Sequence, residues 1–138
     1  MTASRSLAII GLLLLGWNLM GVAAFIMQYT ADLAALAKSD PYTARVFANM
    51  PVWAWAAYAI AVGAGTLGAA LLLLKKSAAV PLFLISAIAV LVQFSYSFLG
   101  TDLLTVKGPS SAIFPALILA IAIGQLLYAR SQKAKGRL

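Results

Sequence analysis

The side chains of this chain best suited to chemistry are amides, phenols and hydroxyls set inside long apolar runs: Asn18, Tyr58, Thr66, Ser86, Gln93, Tyr96 and Gln125. The chain has no His, no Cys and no Glu, and its three acids, Asp32, Asp40 and Asp102, lie outside those runs. Amides and phenols each offer a donor and an acceptor, so they suit recognition of a neutral hydroxylated or carbonyl-bearing ligand better than proton transfer or nucleophilic attack. Gln93 and Tyr96 are three residues apart and share one helical face. The ligand reading is therefore a pocket lined by Asn18, Tyr58, Gln93 and Tyr96, with Trp17 and Phe94 as apolar walls. Asn18 and Gln93 should then approach each other across the first and third spans. The competing reading is hydrogen-bonding glue between helices, worth about 0.6–2 kcal/mol per contact in a membrane.

These residue types also exclude a good deal. Haem attachment asks for His or Cys, thiolate metal sites for Cys, and proton-driven transport for an ionisable group at membrane depth. A hydrolase would lack His, Glu and Cys, and no Lys stands inside a span to pair with a Ser or Tyr. The expectation is a non-enzymatic protein with no catalytic set, no metal site and no cofactor.

The elements that must position the polar residues are four stretches of about twenty residues, from Leu7 to Met27, Val52 to Leu74, Ala79 to Leu99 and Ser111 to Tyr128. None contains a Lys, Arg, His, Asp or Glu, and each is long enough to cross the ~30 Å hydrocarbon core as a helix. At 64% hydrophobic and 9% charged, the chain is far from a soluble domain, in which about a quarter of residues are charged. The expected fold is an all-α four-helix antiparallel transmembrane bundle forming one domain over residues 1–138.

Basic residues set the orientation. Arg5, Lys75, Lys76, Arg130, Lys133, Lys135 and Arg137 fall on one side; Lys38, Arg45 and Lys107 fall on the other with all three Asp. This positive-inside bias predicts cytoplasmic N- and C-termini. It also accounts for the net charge of +7 without nucleic acid. The first run loosely imitates a signal peptide, but it continues through Phe25, Ile26 and Met27, beyond an ordinary apolar region of about 7–15 residues. A retained helix is expected.

Depth along each helix predicts two polar layers. Asn18 falls roughly 16 Å from the cytoplasmic end, Gln93 about 20 Å and Tyr58 about 21 Å, while Thr66, Ser86 and Gln125 fall near ~10 Å. Between the first two spans, Thr30 reads as the cap of one short amphipathic helix and Asp40–Pro41 as the start of another. Lys75–Lys76–Ser77–Ala78 is too short to join anything but antiparallel neighbours. Ala57, Ala61, Gly65 and Ala69 form a small-residue ridge with Ala64 and Gly68 beside it, which permits close helix approach. The second and fourth spans end alike, with Gly65–Thr66–Leu67 and Gly124–Gln125–Leu126, as two hairpins related by a parallel repeat would.

Several of these pieces together resemble a group of small four-span bacterial inner-membrane proteins, most of them without an assigned function. They are Trp17–Asn18–Leu19–Met20–Gly21, Met50–Pro51–Val52–Trp53, Gly65–Thr66–Leu67–Gly68 with Leu71–Leu74 and Lys75–Lys76, and Val92–Gln93 with Tyr96–Ser97–Phe98. Some members carry the label of sugar transporter, so the resemblance implies four spans and a role in transport. The expected function is binding, or helping transport, of a neutral or amphipathic small molecule. The alternative is an accessory subunit of a larger membrane complex. Expected partners are the bilayer and either such a complex or a second copy of the chain.

Overall fold

The computed structural model describes residues 3–138, with side chains from Arg5 onward. It is 86% helical, with no strand among the described residues. The elements are α1 (Ala3–Tyr29), α2 (Leu33–Ser39), α3 (Pro41–Asn49), α4 (Val52–Leu73), α5 (Ala79–Leu99), α6 (Leu103–Lys107) and α7 (Ile113–Ala134), and a 3-10 turn over Pro109–Ala112 leads into α7. α1, α4, α5 and α7 are long and apolar enough to cross a membrane. In lipid an unpaired backbone amide has no water to bond, so runs of this length close their hydrogen bonds internally as helices. The chain is a multi-pass all-α membrane protein.

α4 and α5 begin at the expected residues. α7 continues past Tyr128 to Ala134, carrying Arg130 and Lys133 on helix beyond the apolar run. Thr30 does not cap α2, because the chain is still turning as helix there and its hydroxyl donates back to the Ile26 carbonyl at 2.6 Å. Asp32 takes that role from an extended backbone, its Oδ1 accepting from the Ala34 and Ala35 amides at 3.1 and 3.2 Å. Asp40 caps α3 with Pro41 as its first residue, as the sequence reads.

The four long helices form a curled row. α4 packs against α1 on one side and α5 on the other, and α5 packs against α7. The small-residue ridge faces into these contacts: Ala57, Ala61, Ala64, Gly65, Gly68 and Ala69 are all buried. Its purpose is legible at Gly68, where a β-carbon would stand 2.9 Å from the Phe83 ring of α5. Registers are antiparallel, with Gly21, Asn18 and Gly11 of α1 set against Val62, Gly65 and Leu73 of α4. Ser86 and Phe83 of α5 lie beside Gly65 and Gly68.

α1 and α7 close the row only in part. Near the chain ends they meet through a core of Leu7, Leu72, Phe83 and Ala129, with Leu14, Leu15, Leu126 and Leu138 packed against it. Farther along they touch through side chains, and a cavity opens between them. The residues that echo each other in sequence differ, with Gly65 closed in by Asn18 and Gly124 in open space, but α4 and α7 finish with the same backbone turn: Lys75 and Gly136 both take positive φ, 59° and 74°. In each case the following amide reaches back to an inner carbonyl, Lys76 to Leu71 and Arg137 to Gln132, both at 2.9 Å.

Candidate binding cavity

The cavity has a volume of about 410 Å³, within the ~300–1,000 Å³ usual for small-molecule sites. α1 and α7 form its flanks, α4 and α5 its back wall, and the segment from α3 to α4 its roof. The lining follows helical spacing: Phe114, Ile118, Ala122 and Gln125 recur along one face of α7, and Gly21, Ala24 and Gln28 along α1. No charged side chain lines it.

The deep end is a polar knot among four helices. Asn18 of α1 donates from Nδ2 to the Leu14 carbonyl at 2.8 Å and to Gln125 Oε1 of α7 at 3.1 Å. Beside it, Ser86 of α5 donates to the Ala61 carbonyl of α4 at 2.6 Å. All three side chains are enclosed, with relative exposures of 7% for Asn18, 3% for Gln125 and 2% for Ser86. Gly65 makes the arrangement fit, because a β-carbon there would overlap the Asn18 amide oxygen.

The opposite end carries Gln28, Tyr58, Gln93, Tyr96 and Ser97 beneath Val46, Phe47 and Met50. Tyr58 faces the Gln28 side chain. Its ring belongs to an aromatic cluster: Phe25 stands edge-on to Tyr58 at 5.1 Å, Trp55 lies against Tyr29 at 5.3 Å, and Phe47 of α3 reaches Trp55 at 5.7 Å. Such contacts are worth about 0.5–1.5 kcal/mol each beyond buried area, and here they seat α3 over the cavity.

A polar latch holds α3 from the other side. The Tyr42 hydroxyl donates to Asp102 Oδ1 at 2.9 Å, and Lys107 Nζ pairs with Asp40 Oδ1 at 3.0 Å. Lys107 and Arg45 also stand over the Tyr42 ring, at 5.7 and 5.2 Å. Asp40 is held at about 2, first by the Thr43 hydroxyl and then by Lys107. Burial, and then the bond to Asp102, push the Tyr42 hydroxyl above its ordinary value.

All five residues expected at a binding site, Trp17, Asn18, Tyr58, Gln93 and Tyr96, line this one cavity, and Phe94 lines it too. Their mutual arrangement differs from the expectation. Asn18 lies level with Ser86, whereas Gln93 stands seven residues farther along α5, about 10 Å away along the helix axis. The two amides therefore mark opposite ends of the cavity, and the partner of Asn18 is Gln125. Measuring depth along each helix treats the helices as upright and level, and their actual offset puts Asn18 into the layer of Ser86 and Gln125. Tyr96 packs its ring edge-on against Trp53 at 5.6 Å.

Comparison with known protein families, with characterised proteins and with solved structures finds no match to this chain.

What the cavity can do follows from its lining. It offers amide, hydroxyl and phenol groups at its two ends and aromatic and aliphatic surface between them, with no carboxylate, amine, imidazole or thiol. Such a site can orient a neutral molecule; it supplies no strong nucleophile and no carboxylate or imidazole base. Sequence reasoning missed the roof and the latch. The only trace of the latch in the sequence is that Lys107 and the acids Asp40 and Asp102 fall on one side of the membrane.

Proposed function

We propose that this protein is a non-enzymatic integral membrane protein that binds a neutral or amphipathic small molecule in the cavity between α1 and α7, or helps transport one. The observation that carries this reading is the lining: a chamber of about 410 Å³ with uncharged hydrogen-bonding groups at both ends and apolar walls. The resemblance of its short motifs to four-span bacterial inner-membrane proteins supports the same reading. The charge asymmetry separately favours cytoplasmic chain ends.

The competing role, an accessory subunit of a larger membrane complex, would favour Trp and Phe gathered on one outward face. Phe25, Phe47 and Trp55 instead pack on one another and on Tyr58 beside the cavity, which supports the binding role. Native purification with mass spectrometry of whatever co-purifies separates the two. A small molecule retained by the wild-type chain and lost from a Gln93→Leu variant is the expected result. Partner proteins at fixed ratio, with no bound small molecule, would decide for the subunit.

A further inference from the structure

The two ends of the cavity specify the shape of the molecule it takes. At the deep end the Leu14 carbonyl can only accept, so it fixes Asn18 with Nδ2 toward it, and Asn18 in turn fixes Gln125 with Oε1 toward Nδ2. Both Nδ2 protons are then used within the protein. Gln125 Nε2 has no protein partner, and no side-chain nitrogen or oxygen among the described residues is both enclosed and unpartnered. Its N–H groups therefore face the open space of the cavity. Ser86 Oγ spends its proton on the Ala61 carbonyl and keeps its lone pairs. The Asn18 amide oxygen, close beside it, is likewise without a protein donor. One donor beside two acceptors matches a hydroxyl, which gives one proton and receives another.

About 10 Å away along α5, Gln93 and Tyr58 present a second set of amide and phenol groups. Between the two sets the lining is apolar, with Val62, Val90, Phe94 and Ile118. We propose, resting on the binding role above, that the cavity takes an elongated uncharged molecule with a hydroxyl-type group at each end and an apolar body between them. A phospholipid headgroup or a fatty acid would bring an anion to a lining without a cation. A single-headed alcohol would leave one end's polar groups without a partner on the ligand and forgo their hydrogen bonds.

Octanediol, whose terminal oxygens span a similar length when extended, is the probe, with octanol, octane and octanoate as comparisons. The protein is placed in lipid nanodiscs with its own sequence, and occupancy is read as uptake of radiolabelled probe above that of protein-free nanodiscs. Partitioning into the bilayer is the same for every variant, so differences between variants report the cavity. The expected result is saturable binding of octanediol about tenfold tighter than octanol, with octane and octanoate weaker still. Gln125→Leu at the deep end and Gln93→Leu at the half-exposed other end should each erase the advantage of the diol over octanol. Equal saturable binding of octanol and octanediol, or a diol advantage surviving both substitutions, would overturn the two-headed ligand and leave the cavity as a binding site. No saturable response to any probe would overturn the binding role with it.

Discussion

A β-carbon at Gly65 would overlap the Asn18 amide oxygen and stand 3.2 Å from Ser86 Oγ, so a larger residue there must separate α1 from α4 or displace the polar knot. Gly65→Leu is expected to cost about 1–3 kcal/mol, the range for overpacking, read as a lowered unfolding temperature in detergent. Gly63 is the control. A β-carbon there meets nothing within 4 Å, and Gly63→Ala should be neutral or stabilising by roughly 0.5–1 kcal/mol, since alanine favours a helix interior. Equal losses at both positions would show that glycine matters for backbone reasons and not for the fit around Asn18. The Asn18–Gln125 bond itself should prove modest: a double-mutant cycle with Asn18→Leu and Gln125→Leu should yield about 0.6 kcal/mol and no more than about 1.7. This ceiling suits a pair whose remaining hydrogen-bonding capacity faces the cavity.

α3 is held over the cavity by one aromatic contact and one polar latch, and the two can be separated. Lys107→Ala removes the ion-pair partner of Asp40 and one of the two cations above Tyr42, while leaving Tyr42 on Asp102 and Phe47 on Trp55. Hydrogen exchange should then quicken in α3 and stay unchanged in α4 and α5. The latch also has a defined pH dependence. Asp40 is lowered from 3.8 to about 2, so its contribution is complete above about pH 4 and is lost as pH falls through about 2. The expected observation is that α3, with each exchange rate divided by its intrinsic value at that pH, is less protected at pH 2 than at pH 5, and that this difference shrinks in an Asp40→Asn variant. An α3 whose protection changes equally in the wild type and in Asp40→Asn would leave the Tyr42–Asp102 bond and the aromatic contact as its anchors.

For the whole molecule, the four long helices and their short connections place both chain ends at one end of the bundle, with Lys75, Lys76 and the basic tail, opposite the latch. A reporter active only in the periplasm should stay silent when fused after Leu138 or inserted at Lys76, and should be active when inserted near Asp40. An active fusion after Leu138 would reverse the proposed orientation.

The number and order of the long apolar helices were legible in the residues alone, and Val52 and Ala79 are the observed starts of α4 and α5, whereas α1 and α7 run past the ends of their apolar stretches. The reason is local: an uncharged run of about twenty residues in lipid has one way to satisfy its backbone. The close join of α4 to α5 followed likewise from a link too short for any other geometry. Other features were beyond the reach of a one-dimensional pattern. The small-residue ridge could be seen, but whether it met its own bundle or a second copy depended on packing, and it meets α1 and α5. The set of polar residues around the cavity could be named, yet Asn18 was assigned the wrong level and so the wrong partner. α3 as a roof and the Asp40–Lys107 latch join residues far apart in sequence, and such pairings leave no periodic trace. Composition and run length settle where a helix lies in a membrane; the offset and inclination of one helix against the next settle which side chains meet.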